Sequence, residues 1–154
     1  MKTIAAAAAL TAILSATLSG CTGRAPDNSG VTRAWARLPA VPDRPGAAYF
    51  TLVGTGKADR LVAIKSAVVG RIELHAGGMH GGMMTMRPLG GVDVPAEGRV
   101  AFAPGANHAM LFDIDKAITP GTAIPMRFLF ASGRAIEVET KTVAPGGDMP
   151  YPAE

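Results

Sequence analysis

Short runs in which apolar and polar residues alternate make up most of the chain after residue 31. The clearest run extends from Ile136 to Val143 and has the period of a half-buried β-strand. Ser132–Gly133, shortly before it, is typical of a tight hairpin. The same pattern predicts nine strands in all: Thr32–Arg37, Ala47–Val53, Leu61–Ser66, Arg71–His75, Met83–Arg87, Arg99–Ala103, His108–Ile114, Ile124–Ala131 and Ala135–Val143.

Turn-forming residues separate these runs at short intervals, as at Pro45–Gly46, Pro104–Gly105 and Pro120–Gly121. No stretch combines apolar residues at the helical period of 3.6 with helix caps. Many short strands with frequent turns indicate an all-β domain, either a sandwich or a barrel. The length of 154 residues and the hydrophobic content of 48% suit a single domain with one core.

The start of the chain has the pattern of a bacterial lipoprotein leader. Lys2 precedes an apolar, alanine-rich stretch, residues 4–18, which has the length of a signal-peptide core and is short for a membrane span. The following Leu18-Ser19-Gly20-Cys21 resembles the lipobox, in which the cysteine is acylated and becomes the new N-terminus. An ordinary signal peptide with an incidental cysteine is the alternative.

These features divide the chain into four parts. Residues 1–20 are predicted to be a lipoprotein signal peptide, and residues 21–31 a flexible tether that begins at a lipidated Cys21. Residues 32–144 are predicted to form the β-domain, and residues 145–154 a short C-terminal tail. We expect the mature protein to be anchored to a bacterial membrane by the lipid on Cys21.

Charge, cysteine content and motifs argue against several classes of protein. The 15 Lys and Arg against 12 Asp and Glu give a net charge of +3, and these charges are scattered, so nucleic acid is not an expected partner. A single cysteine cannot form an intrachain disulfide or a Cys-x-x-Cys motif. The glycine patterns of a nucleophile elbow and of a phosphate-binding loop are absent from the sequence. The sequence therefore offers little support for serine-hydrolase or phosphate-binding chemistry.

Histidine and methionine occur together in a way that favours a soft-metal site. His108 and Met110 are two residues apart in one predicted strand, so their side chains project from the same face. His75 ends an earlier strand and Met86 lies in the next, so a return through the glycine-rich residues 76–82 brings these two close together. These four side chains are the candidate metal ligands. Thioethers select Cu(I) over zinc, magnesium or calcium.

Each of these residues also has an ordinary structural explanation. Methionine in a strand usually fills the core, as we expect of Met126, and a lone histidine is usually a hydrogen-bonded structural residue. Clustering favours metal binding, because five of the eight methionines and all three histidines lie between His75 and Met110. In an exposed glycine-rich loop, methionine has no packing role. Four residues of that segment are therefore candidate auxiliary ligands: Met79, His80, Met83 and Met84.

The spacing of the four main candidates resembles that of a known family. Ten residues separate His75 from Met86, twenty-one separate Met86 from His108, and one separates His108 from Met110. This is similar to the His-x10-Met-x21-His-x-Met signature of the periplasmic PCu(A)C copper chaperones. The similarity covers residues 33–143, nearly the whole predicted domain.

The resemblance implies a cupredoxin-like or immunoglobulin-like β-sandwich that binds Cu(I) at an exposed site. It also implies delivery of copper in the periplasm, commonly to the copper centres of haem–copper oxidase and sometimes alongside Sco-type proteins. The tail departs from those members that have a C-terminus rich in histidine and methionine. Here residues 146–152 contain Met149 and no histidine, which puts a second site in the tail in doubt.

The predicted function is that of a lipid-anchored Cu(I) metallochaperone and not of an enzyme. Such a protein passes copper to a partner protein by ligand exchange. Two alternatives stay open at this point. One is a periplasmic copper sequestration or resistance protein without a dedicated acceptor. The other is a structural β-sandwich lipoprotein that binds no metal, with Met86 and Met110 in its core.

Overall fold

The structure is a computed structural model that describes residues 30–151. Its regular secondary structure consists of β-strands. In chain order these are β1 (Val31–Arg37), β2 (Gly46–Val53), β3 (Asp59–Lys65), β4 (Val69–His80), β5 (Met83–Pro88), β6 (Val92–Val94), β7 (Arg99–Phe102), β8 (His108–Ile114), β9 (Ala123–Phe130) and β10 (Ala135–Val143).

The all-β prediction is confirmed. Each of the nine predicted strands overlaps an observed strand. β6 was not predicted, because a strand of three residues is too short to show alternation. The predicted end of β4 at His75 is too early, since the strand continues to His80.

Hydrogen bonds join the strands along the path β5-β4-β8-β2-β1-β10-β9-β3-β6, with β7 paired to β2. The branch at β2 arises because Gly46–Ala48 pairs with β8 while Phe50–Val53 pairs with β7. β2 and β9 are three strands apart on this path, which is about 14 Å in a flat sheet. Yet the rings of Phe50 in β2 and Phe128 in β9 are 4.9 Å apart. The sheet therefore folds over into a sandwich.

One hydrophobic core fills the space between the two layers. Phe50 stacks on Phe102 with ring centroids 4.2 Å apart and meets Phe128 edge-on. Met126 is 1% exposed and belongs to this core, as expected from the sequence. β4 and β8 contribute residues such as Leu74 and Leu111 to this core, and the face that carries them is the inner face. Because side chains alternate along a strand, the residues next to them project from the opposite, outer face.

The glycine-rich segment after His75 is a strand and a tight turn, which corrects the expected loop over residues 76–82. β4 pairs with β5 in continuous register as far as His80. Only Gly81 and Gly82 remain in the turn, with φ angles of 57° and 78°. Two successive positive φ angles are what a two-residue type I′ hairpin turn requires, and glycine adopts them without steric cost. The result is a long β4–β5 hairpin.

Several predictions concern parts of the chain outside the described residues. They are the signal peptide at residues 1–20, the lipidated Cys21 and the tether as far as residue 29, together with residues 152–154 of the tail. Within residues 30–151, no helix has the length and hydrophobicity needed to cross a membrane.

Candidate metal centre

Adjacent strands place the two candidate histidines side by side. β4 and β8 are antiparallel neighbours, and in their register His75 lies directly opposite His108. The two imidazole centroids are 5.9 Å apart and the ring planes are inclined by 23°. Directly opposed residues share one face of a sheet. Both rings therefore project from the outer face.

The two candidate methionines lie on the same outer face. Met110 is two residues from His108 in β8, so alternation puts both side chains on one side. Met86 lies opposite Gly77 in the register of the hairpin, and Gly77 is two residues beyond His75 in β4. Three adjacent strands, β5, β4 and β8, thus bring all four predicted ligands to one face.

A surface cavity of about 290 Å³ opens on this face. The side chains that line it include Tyr49, Met84, Met86, His108 and Met110. Met86 is 60% exposed, which excludes the alternative that it belongs to the core. His75 does not line the cavity, and its side chain is only 14% exposed. The candidate site therefore has one deeply placed imidazole and one strongly exposed thioether.

The ring of His108 is oriented by the loop that precedes its strand. Its Nδ1 lies 2.9 Å from the carbonyl oxygen of Ala106, so in the hydrogen-bonded tautomer Nδ1–H donates and Nε2 is left as a lone-pair donor for a metal. The backbone N–H of Gly77 donates to the same carbonyl at 3.2 Å. The Ala106 carbonyl therefore connects the imidazole of His108 to the backbone of β4.

Glu73 orients the ring of His75. Its Oε2 lies 3.1 Å from His75 Nε2, and its other carboxylate oxygen pairs with the guanidinium of Arg71. With Nε2–H donating to the carboxylate, Nδ1 carries the lone pair. Nδ1 is buried and has no hydrogen-bond partner among residues 30–151. A buried polar atom without a partner is costly, and a metal ion bound on this side would satisfy it.

Glu73 and Ala106 were not among the site residues predicted from the sequence. Glu73 had a recognisable signal, since it is two residues before His75 and so shares its face in a strand. The role of Ala106 has no signal in the sequence. The hydrogen-bond partner of a backbone carbonyl can be assigned only when the path of the loop is known.

Tyr49 forms an uncharged part of the cavity wall. Its ring packs against Trp35 with centroids 4.5 Å apart, and the guanidinium of Arg37 lies 5.3 Å from the Trp35 ring. Burial raises the pKa of the Tyr49 phenol, although the charge of Arg37 acts in the opposite direction. The phenol thus stays protonated at neutral pH and adds no negative charge to the site.

The available donors have the chemistry of a soft-metal site. Within the described range 30–151, no group of three or more His, Cys, Asp or Glu side chains is placed to hold a metal ion. The four converging side chains supply two imidazoles and two thioethers, all of them neutral. Such a set suits Cu(I), which accepts soft sulfur and borderline nitrogen ligands.

The four candidate auxiliary ligands divide between the two faces of the hairpin. Met79 lies opposite Met84, and His80 lies opposite Met83. Alternation puts Met79 and Met84 on the outer face with Met86, and it puts His80 and Met83 on the reverse face. The structure therefore brings only two of the four auxiliary candidates toward the main ligands.

Known structures with this fold include copper-bound ones. The copper-bound PCuAC domain from PmoF2 is similar with a TM-score of 0.62 and 25% sequence identity, over 75% of this chain and 92% of that chain. The Cu(I) form of DR1885 from Deinococcus radiodurans is similar with a TM-score of 0.53 and 27% identity, over 73% of this chain and 78% of that chain. The resemblance to PCu(A)C proteins and the β-sandwich prediction are thereby confirmed.

No curated protein sequence matches the chain. The family model for LpqE-like lipoproteins matches residues 30–142, which contain nine complete strands and nearly all of the tenth. The chain therefore belongs to the LpqE-like lipoprotein family, and its fold is that of the PCuAC domains.

Proposed function

We propose that this protein is a lipid-anchored Cu(I) chaperone of the bacterial periplasm, which binds one copper ion tightly through His75, Met86, His108 and Met110. The observation that carries the proposal is the convergence of these four side chains on one outer face. In addition, His75 Nδ1 has no hydrogen-bond partner in the described part of the chain. The copper-bound forms of PmoF2 and DR1885 support the choice of metal.

Ligand exchange is the mechanism that this geometry favours. The two imidazoles are oriented by Glu73 and Ala106 and hold fixed positions, whereas Met86 is on an exposed hairpin. Met86 is therefore the ligand most easily replaced by a donor from a partner. Copper would then move stepwise, with the remaining ligands still attached. Acceptors with imidazole or thiolate ligands, such as the copper centres of haem–copper oxidase or a Sco-type protein, suit this exchange.

The copper site is tested by anaerobic loading of the mature chain with Cu(I) and native mass spectrometry. One tightly held ion is expected at one equivalent. The variant with His75→Ala, Met86→Leu, His108→Ala and Met110→Leu should not hold it in the presence of a competing chelator. Retention of the tight ion by this variant would place copper elsewhere on the protein.

A deletion strain distinguishes a protein that delivers copper from one that stores it. If the protein is a chaperone, the deletion strain should lose oxidase activity at low copper, and added copper should restore it. If the protein sequesters copper, the deletion strain should have normal oxidase activity at low copper and greater sensitivity to excess copper. A strain with the second behaviour would leave the site assignment intact and exclude delivery.

Lipid anchoring is tested at Cys21. The family description as lipoproteins supports a lipid anchor, and Cys21 is the single cysteine of the sequence. Cys21→Ala should release the protein from membranes or block its processing, and mass spectrometry of the wild type should find a lipid-modified N-terminal cysteine. An unmodified Cys21 thiol in protein extracted from membranes would contradict the anchor.

Removing the carboxylate of Glu73 should weaken Cu(I) binding. Glu73→Ala takes away the acceptor that orients His75, and loss of such a partner typically costs ~10–100-fold in metal affinity. Glu73→Gln keeps an acceptor oxygen and should bind Cu(I) more tightly than Glu73→Ala. Affinities are compared by competition with a Cu(I) chelator. Equal affinity in the wild type and Glu73→Ala would show that Glu73 does not orient the ring.

A further inference from the structure

The tip of the β4–β5 hairpin extends beyond the strand that carries the second pair of ligands. The pairing of β4 with β8 ends at His75 and His108, whereas the pairing of β4 with β5 continues to His80 and Met83. The tip residues on the outer face are methionines with large exposed fractions, 67% for Met79 and 59% for Met84. Packing does not account for them, because these side chains remain largely in solvent.

The hairpin register gathers three thioethers on the outer face. Met79 and Met84 are a directly opposed pair, and such pairs have Cβ atoms about 4.5–5.5 Å apart. Met86 is two residues further along β5, about 7 Å away on the same face. Met84 and Met86 line the same cavity. Methionine side chains are long and unbranched, so three sulfurs with this spacing can converge on one ion.

We propose that Met79, Met84 and Met86 form a second Cu(I) site made only of thioethers, which shares Met86 with the four-ligand site. Three neutral sulfur ligands favour a soft monovalent ion. With no imidazole, this site binds more weakly than the four-ligand site and fills after it. An ion that leaves the four-ligand site on the side of Met86 would meet these two sulfurs first. The identity of the ion rests on the proposed function, whereas the grouping of the sulfurs rests on the register alone.

Met83 provides a matched control. It belongs to the same hairpin and is 72% exposed, but it lies on the reverse face beside His80. If the second site depended only on the number of exposed methionines, Met83→Leu would weaken its Cu(I) binding as much as a methionine-to-leucine change on the outer face. The proposed site predicts that Met83→Leu has no effect.

The test is anaerobic titration of the mature chain with Cu(I), followed by native mass spectrometry and by NMR of methionine methyl groups. In the wild type, a second equivalent should bind after the first and shift the methyl signals of Met79 and Met84. Met79→Leu/Met84→Leu should bind one equivalent, and Met83→Leu should bind two. In His75→Ala/His108→Ala the tight ion should be lost and one weaker ion retained, with shifts at Met79, Met84 and Met86.

The outcomes separate this inference from the proposed function. A wild type that binds one tight ion, with the methyl signals of Met79 and Met84 unchanged in excess Cu(I), would overturn the second site and keep the first. A second equivalent that persists in Met79→Leu/Met84→Leu would overturn the assignment of its ligands. A wild type that binds no Cu(I) would overturn both proposals. Thermal melting of each variant checks that it is folded.

Discussion

Replacing both Met86 and Met110 with leucine should remove most of the Cu(I) affinity while the metal-free protein stays as stable as before. Leucine keeps the apolar volume and lacks the sulfur donor. Exchanges of this kind cost less than about 1.5 kcal/mol even in a core, and Met86 is 60% exposed. Loss of an orienting partner alone costs ~10–100-fold in metal affinity, so loss of two ligands should cost at least ~100-fold. Chelator competition and thermal melting measure the two quantities.

Met126 supplies the opposite control. It is 1% exposed and lies in the core, on β9, which does not pair with β4, β5 or β8. Met126→Leu should change the melting temperature slightly and leave Cu(I) affinity unchanged. If the Met86/Met110 double variant instead melts far below the wild type, and its folded fraction binds copper normally, these methionines are packing residues and the assigned site is wrong.

Gly77→Ala should also weaken Cu(I) binding strongly, although residue 77 offers no ligand. A Cβ atom at this position would lie 2.6 Å from the carbonyl oxygen of Ala106, closer than real contacts allow. The loop must therefore move, and with it the acceptor that orients His108. Disturbing such a partner is expected to cost ~10–100-fold in affinity. Chelator competition measures the loss, and NMR of the His108 ring detects the changed orientation.

The next residue in β4 is a suitable control for Gly77. A Cβ atom at Gly78 would meet no atom within 4 Å, and its φ lies outside the left-handed region. Gly78→Ala should therefore bind Cu(I) as tightly as the wild type. Equal affinities in the Gly77→Ala and Gly78→Ala variants would mean that the approach of the Ala106 loop does not control the site.

Most of the fold could be read from the sequence, because a strand with one buried face shows its pattern directly. β10 is the clearest example, with alternating exposed and buried residues from Ala135 to Thr142. The pattern failed in two places. β6 is too short to show a period, and glycines at 77 and 78 hid the continuation of β4, because residues without side chains give no alternation to read.

The grouping of the four candidate ligands could also be predicted, whereas their surroundings could not. His-x-Met in a strand fixes one face for His108 and Met110, and this requires no knowledge of the neighbouring strands. The orienting contacts of Ala106 and Gly77 depend on how closely a loop approaches a strand. The division of the auxiliary residues between two faces depends on a register that only the position of the turn determines.

The two-residue turn at Gly81–Gly82 fixes the register of the hairpin. As long as this turn is kept, the number of residues added, odd or even, decides which face of the sheet Met86 occupies. With the turn fixed, one residue added to β5 alone would move Met86 from opposite Gly77 to opposite Ala76, on the reverse face and away from both histidines. One residue added to each strand would lengthen the hairpin and keep Met86 opposite Gly77. Homologues of this chain should therefore vary in hairpin length by steps of two residues, wherever the turn type is retained.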